Sequence, residues 1–328
     1  MISVSIKQSK AVMILLASAW AAGAAHAQAP AYPSKPIRMV IALAPGGGVD
    51  TTGRLIANNL SQLWGQPVVP ENRPGAGGSI ATDIVAHSAP DGYTLLTNSS
   101  GIVITPSLMK LGYDARKDIQ PVTQVFISPG VMVVHPSLPV KSVKELIAFA
   151  RSKPNELLYS SSGQGSAQHL AMAWFCQLEN LKMTHVPYKG TSPSVTDVIA
   201  GRIAVTVASV ISTRPFFTTG RLRALATLGL KRTPALPDYP TISEATGLKH
   251  FGVDQWYGLF APGGTSKEIV HKLQEAVAKF MLEPETRKRL LGQGLDAVAT
   301  TPEEVTALYN SEMDRWAKVI KDIGLQPN

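Results

Sequence analysis

Short apolar runs and longer amphipathic stretches alternate along most of the chain. Nine runs rich in β-branched and apolar residues predict strands at Ile37 to Leu43, Pro67 to Val69, Tyr93 to Thr97, Val131 to His135, Leu157 to Ser160, Thr184 to Pro187, Ile203 to Ala208, Leu222 to Thr227 and Trp256 to Ala261. Between them, Thr51 to Trp64 carries Leu55, Ile56, Leu60 and Leu63 at one-face helical spacing, and Val143 to Arg151 carries Leu146, Ile147 and Ala150. Three helices are expected to close the chain: Ser266 to Met281, Pro284 to Leu291, and Pro302 to Ile320 with Thr301 as cap. Strands alternating with helices predict an α/β fold with largely parallel sheets.

Nine strands exceed what one compact sheet needs. The run PVTQVFISPGVMVVHP reads as an extended connector interrupted by Pro129 and Gly130, and a second connector around His250 to Asp254 precedes WYGLFAP. The chain is therefore expected to cross into a second lobe and return, with residues 28–127 and 255–328 in the first lobe and 128–254 in the second. A cleft spanned by two strands is a usual place for a small-molecule site and a natural hinge.

Residues 1–27 change the picture of where this chain works. Lys7 and Lys10 precede an apolar stretch from Ala11 to Ala25, and Ala25, His26 and Ala27 form an A-x-A cleavage pattern before Gln28. This layout predicts a secretory signal cleaved after Ala27 and export to a bacterial periplasm. The chain has 328 residues and a formal net charge of +8, two units of which leave with the signal. The remaining excess is dispersed, without long lysine-arginine runs or interleaved aromatics, which argues against nucleic-acid binding. Cys176 is the single cysteine, so no internal disulfide forms, and its AMAWFCQL setting reads as a packed helix face.

Two turns carry the candidate chemistry. In the first, IRMVIALAPGGGVDTTGRL, Gly46, Gly47 and Gly48 follow a strand and open a helix, where absent side chains let backbone N–H groups converge on an anion. Neither the lysine of a P-loop nor a dinucleotide fingerprint accompanies them. Thr51 is a further donor, and Asp50 reads as a stabiliser of the helix start, with contact to a ligand amino or hydroxyl group as the alternative. In the second turn, LLYSSSGQGSAQHLA, Ser161, Ser162, Gly163, Gly165 and Ser166 supply hydroxyl and backbone donors, with Ser166 placed as an N-cap and Gln168 and His169 in the first helical turn. Asn98, Ser99 and Ser100 end a predicted strand and are expected to point into the cleft. Tyr188, Lys189, Gly190 and Thr191 follow another strand and precede a helix, with Thr191 as a candidate cap, Asp197 read as solvated or structural, and Lys189 as a flexible cation. Trp256 and Tyr257 lie at the return crossing, where core packing competes with ligand stacking.

Motifs spread over nearly the whole chain after residue 27 resemble one family: YPSKPIRMVI, PGGGVDTTGR, GQPVVPENRPGAGGSIATDIVAHSAPDGYTLL, SSGQGSAQHLA, THVPYKGTSPSVTDVIAGR, LPDYPTISEA, WYGLFAPGGTSKEIV and WAKVIKDIGLQP. Together they are similar to the Bug family of periplasmic substrate-binding proteins of tripartite tricarboxylate transporters. The resemblance implies a two-lobed type II periplasmic binding fold, a ligand carboxylate held by main-chain groups from the turns and by bridging waters, and one large and one small integral membrane subunit as partners. Related sequences commonly have acids where this one has Ala204 and Ala208. That difference, with Arg214 expected near a pocket wall, predicts a doubly anionic or less amine-like ligand rather than an amino acid.

The rival class is catalytic, an α/β hydrolase or transferase acting on an acyl anion. No nucleophile elbow, H-E-x-x-H, paired-cysteine site or metal-ligand histidine spacing supports it, and no cofactor or metal is expected. A ligand-presenting partner of a membrane sensor is a third reading. The default oligomeric state is a monomer.

Overall fold

The computed structural model describes residues 32–249, 251–322 and 324. Lys35–Asn328 forms one compact unit, and of the unit before it, Met1–Ser34, only Tyr32–Ser34 belongs to the described residues. The expected signal and its cleavage site lie outside them, as does His250 in the second connector.

The elements run β1 (Ile37–Ile41), α1 (Gly48–Trp64), β2 (Val68–Asn72), α2 (Ser79–Ala86), β3 (Thr94–Ser99), α3 (Gly101–Ile104), β4 (Ile119–Ile127), β5 (Gly130–Val134), α4 (Val143–Ser152), β6 (Leu158–Ser161), α5 (Ala167–Leu178), β7 (Thr184–Pro187), α6 (Thr191–Ile199), β8 (Val205–Ser209), α7 (Val210–Thr213), β9 (Arg223–Thr227), α8 (Ile242–Thr246), β10 (Trp256–Pro262), α9 (Lys267–Met281), α10 (Pro284–Gly292), β11 (Asp296–Ala297) and α11 (Pro302–Asp322). They build two helix-flanked sheets, a six-stranded one in the order β11-β4-β10-β3-β1-β2 and a five-stranded one in the order β7-β6-β8-β5-β9. The α/β, two-sheet architecture expected from the sequence is present.

The largely parallel strand direction expected from the sequence holds, β2, β1, β3 and β4 running one way in the first sheet and β7, β6, β8 and β9 one way in the second, against β10, β11 and β5. Parallel pairing holds for β2-β1-β3 and β7-β6-β8, but β10 runs antiparallel to both β3 and β4, and β5 runs antiparallel to both β8 and β9. The cause is connectivity: β10 and β5 are the strands on which the chain arrives from the other sheet, so no helical crossover forces them parallel. The PVTQVFI part of the supposed connector lies within a nine-residue strand, β4, paired with β10 through two register shifts. Pro121 sits beside one of those shifts, where a residue without an N–H does least damage to the ladder.

Helix α1 shows how packing refines the apolar pattern. Its buried face runs through Val49, Thr52, Gly53, Ile56, Ala57 and Leu60, whereas Leu63 is 45% exposed. Gly53 belongs to that face because a Cβ there would lie 2.7 Å from Thr97 Oγ1 and 2.8 Å from Ile41 Cγ1, so the helix rests directly on the sheet. Gly65, with φ of 64°, ends it and returns its N–H to Ser61 O at 3.0 Å. In the five-stranded half, Val131, Val133, Val195, Val198, Ile203, Ala208 and Leu222 form the core.

Candidate functional site

The C-terminal ends of β1 and β3 in one half, and of β6 and β7 in the other, deliver four turns to one place. In open α/β sheets this is where ligands collect.

The first glycine turn is organised by Asp50, which is 5% exposed. It accepts from Gly46 N–H at 3.0 Å, Arg54 Nε at 2.9 Å and Asn72 Nδ2 at 2.9 Å. Burial alone would push its pKa up, but the bonds from Gly46, Asn72 and Arg54 outweigh it and hold the carboxyl below its ordinary value. Asp50 therefore belongs to the scaffold of the turn, the first of its two alternatives. Gly46 has φ of 83°, a backbone conformation that favours glycine. Gly47 is the N-cap of α1 and Gly48 its first residue, so first-turn N–H groups lacking an intrahelical acceptor are gathered here. Thr51 donates its N–H to Gly47 O at 3.0 Å.

After β3, the three expected residues take three different roles. Asn98 donates Nδ2 to Thr82 Oγ1 at 3.1 Å and accepts from Ser99 N–H at 2.8 Å, tying the strand end to α2. Ser99 Oγ accepts from Gly101 N–H at 3.4 Å. Ser100 is 1% exposed, and its hydroxyl is one of four buried side-chain polar atoms without a hydrogen-bond partner among the described residues.

The serine turn after β6 is closely knit. Ser166 caps α5 by accepting from His169 N–H at 3.2 Å. Ser161 donates to Gly163 O and accepts from Gly163 N–H, both at 3.1 Å, and its hydroxyl meets His185 Nε2 at 2.7 Å. Ser162 donates to Gln168 Oε1, and Gln168 Nε2 donates in turn to Thr191 Oγ1 at 3.3 Å. Gly165 N–H donates to His169 Nδ1 at 3.3 Å. The His169 and His185 rings stack with centroids 4.1 Å apart. Burial pulls His169 down to about 4, and burial with the neighbouring His169 pulls His185 down to about 3, so both are neutral imidazoles.

These turns meet across the cleft. Ala44 N–H donates to Lys189 O at 3.1 Å, and Thr105 Oγ1 donates to Gly165 O at 3.4 Å. A Cβ on Gly47 would lie 3.7 Å from Thr191 Cβ, one on Gly46 3.2 Å from Ser192 Oγ, and one on Gly101 3.6 Å from Ser166 Cα. The N-termini of α1, α5 and α6 thus converge, each carrying partial positive charge, with the Ser100 turn beside them.

Several expected residues are placed elsewhere. Arg214 is exposed and donates Nη1 to Gly292 O at 2.6 Å, at the end of α10, so it forms no pocket wall against these turns. Ala208 is buried in the core of the five-stranded half, and Ala204 precedes β8 at the strand end opposite the turns. The ligand preference drawn from these three positions is therefore without structural basis. Tyr188 donates its hydroxyl to Asp197 Oδ2 at 2.5 Å, and Arg202 donates to Asp197 Oδ1 at 2.8 Å, which makes Asp197 structural. The Lys189 side chain is exposed, and only its carbonyl takes part in the interlobe contact. Gly190, not Thr191, is the N-cap of α6. Tyr257 is 3% exposed with its ring against Gly48, while Trp256 is 2% exposed, so both belong to the packed interior.

Sequence reasoning missed Gly77. It has φ of 64°, and a Cβ there would collide with Gln164 O across the cleft. The signal was available: Gly75, Gly77 and Gly78 follow β2 as Gly46 to Gly48 follow β1.

Two helix-flanked sheets joined by two crossings, with turns facing one another, define a two-lobed binding-protein fold. The chain belongs to the TctC family, the tripartite tricarboxylate transporter family receptors, whose model matches residues 52–325. It is 35% identical over 304 residues to Protein BugT of Bordetella pertussis, covering 92% of this chain and 93% of that one. Among solved structures, R. palustris Rpa4515 with adipate superposes with a TM-score of 0.86 at 36% identity, covering 90% of this chain and 100% of that chain. MatC (Rpa3494) from Rhodopseudomonas palustris with bound malate superposes with a TM-score of 0.82 at 32% identity, covering 88% and 100%. Family and neighbours are periplasmic solute-binding proteins.

Proposed function

We propose that this protein captures one small carboxylate between its lobes and delivers it unchanged to the two integral membrane subunits of a tripartite transporter. The observation that carries the reading is the meeting of the N-terminal turns of α1, α5 and α6, with Gly47 beside Thr191, Gln168 bonded to Thr191, and the turn of the buried, unpartnered Ser100 beside Ser166 through Gly101. Neutral donors of this kind favour an anion without needing a cationic side chain. The adipate and malate of the two structural neighbours fit the same chemistry. The donors are the backbone N–H groups of Gly47 and Gly48, in a turn that Gly46 shapes by donating to Asp50, the hydroxyls of Thr51, Ser99 and Ser100, and the turn of Ser161, Ser162, Gly165 and Ser166.

The lobes comprise residues 28–127 with 255–328 and residues 128–254, and they rotate about the two crossings. Ligand favours the closed form because only that form presents both sets of donors to it. Moving the equilibrium from 1:99 to 99:1 takes about 5.5 kcal/mol of differential affinity. The protein acts as an exported monomer, cleaved after Ala27, and captures stoichiometrically rather than catalytically. A calorimetric titration against mono-, di- and tricarboxylates, with the ligand recovered afterwards, tests this. One-to-one binding with intact ligand supports capture, whereas consumption of the ligand points to the hydrolase or transferase class.

A further inference from the structure

Thr191 opens α6 without capping it, since Gly190 is the N-cap, so capping does not occupy its hydroxyl. The residue is 5% exposed and follows β7 of the five-stranded sheet. Across the cleft it faces the first glycine turn. A Cβ on Gly47 would lie 3.7 Å from Thr191 Cβ, and one on Gly46 would lie 3.2 Å from Oγ of the neighbouring Ser192. The Ala44–Lys189 backbone bond at 3.1 Å holds the two segments in this register.

A directed chain of hydrogen bonds ends on the Thr191 hydroxyl. Ser162 Oγ donates to Gln168 Oε1, and Gln168 Nε2 donates to Thr191 Oγ1 at 3.3 Å. All three residues are buried. A side-chain amide has one accepting and one donating end, so Ser162, by giving its proton to Oε1, turns the NH2 end towards Thr191. Thr191 Oγ1 then accepts, and its own proton has no acceptor among the described residues. A buried O–H in that state is costly until an acceptor reaches it. The turn opposite supplies further donors, the first-turn N–H groups at Gly47 and Gly48, so a bound anion is what satisfies both sides. We propose that Thr191 is a ligand-binding residue and Gln168 the positioning residue that aims it: the Thr191 hydroxyl donates, from the five-stranded half, to the carboxylate seated on the Gly47 and Gly48 amides of the other half. This donor reaches the ligand only when the lobes meet, which ties carboxylate recognition to closure. The assignment rests on the capture reading above and adds a residue to it.

Thr191→Val tests it, because the variant keeps the shape of the side chain and removes only the hydroxyl. The probes are adipate, malate and citrate, titrated calorimetrically. Every probe that binds the wild type is expected to bind Thr191→Val about tenfold more weakly or worse, the loss of one hydrogen bond to a charged group. Thr191→Ser keeps the hydroxyl and is expected to bind within about threefold of the wild type. Gln168→Met keeps the length of the side chain but cannot aim Thr191, and it is expected to weaken the same probes. The double variant Thr191→Val with Gln168→Met should bind no more weakly than Thr191→Val alone, because Gln168 acts through the hydroxyl already removed. Should Gln168→Met fail to fold, Ser162→Ala, which frees the accepting end of the Gln168 amide, takes its place in the cycle; should Thr191→Val fail to fold, Thr191→Ala replaces it. Unchanged affinity in Thr191→Val, or a Thr191→Ser variant as weak as Thr191→Val, would overturn the role of the hydroxyl while leaving capture intact. Losses that multiply in the double variant would overturn the role of Gln168. Wild-type protein that binds none of the three probes would overturn the capture reading and this assignment with it.

Discussion

The amide of Ala44 donates to the carbonyl of Lys189 at 3.1 Å, a backbone hydrogen bond between the two halves of the molecule. It forms because Gly190 has no side chain: a Cβ there would lie 2.9 Å from both N and Cβ of Ala44, and its φ of 153° already disfavours other residues. Gly190→Ala is expected to hold the lobes apart. Every ligand should weaken about tenfold or more, the equivalent of about 1.4 kcal/mol, and scattering at saturating ligand should show an incompletely compacted molecule. Wild-type compaction in this variant would remove the Ala44–Lys189 contact from the closing mechanism.

Ser100→Ala separates binding from stability. The Ser100 hydroxyl is buried without a partner, so its removal deletes an unsatisfied group and should leave the melting temperature of the free protein unchanged or slightly raised. Carboxylate affinity should fall about tenfold, consistent with one lost hydrogen bond to a charged group. A lower melting temperature with unaltered affinity would assign the hydroxyl to the scaffold.

Asp50 fixes the glycine turn through three hydrogen bonds and has a folded-state pKa below its ordinary value. A depressed carboxyl pKa contributes stability that is present above the unfolded value of 3.8 and is lost as pH falls through the folded one. Asp50→Asn should lower stability by about 1–3 kcal/mol at neutral pH and weaken all ligands alike. It should also shrink the loss of stability measured below pH 3.8 by denaturant titration.

His169 and His185 set a second, higher window. An unfolded histidine takes up a proton below 6.5, whereas the folded ones wait until about 4 and about 3. Between those limits the unfolded state holds more protons, so stability falls as pH falls from 6.5 towards 4. His169 alone accounts for about 3 kcal/mol across this range. His169→Gln, which retains an acceptor for Gly165 N–H, should flatten the decline, as read from melting temperatures across the window.

What the sequence disclosed follows from the range of the interactions involved. Gly46 to Gly48 and Ser161 to Ser166 were legible because a β-branched run, a cluster of small residues and a helix start are neighbours in the chain. The crossings were visible as breaks at Pro129 and before Trp256. The strand character of β4 was missed because its run was read, through the break at Pro129 and Gly130, as a connector, and its Pro121 is tolerated at an irregular pairing with Phe260. The direction of β10 and β5 depends on partners far away in sequence, which local periodicity does not encode. The same applies to single residues: Arg214 ends on the carbonyl of Gly292, and Tyr257 beneath Gly48, through contacts that no motif announces.

The central claim is stoichiometric capture of a carboxylate by closure. Its most direct test is a calorimetric titration of the wild-type protein with adipate, malate and a panel of mono-, di- and tricarboxylates, paired with chemical recovery of the ligand and scattering of the complex. The account predicts one carboxylate bound per chain, recovered unchanged, with a compact complex. A panel in which no carboxylate binds, or in which the bound compound is converted, would contradict it.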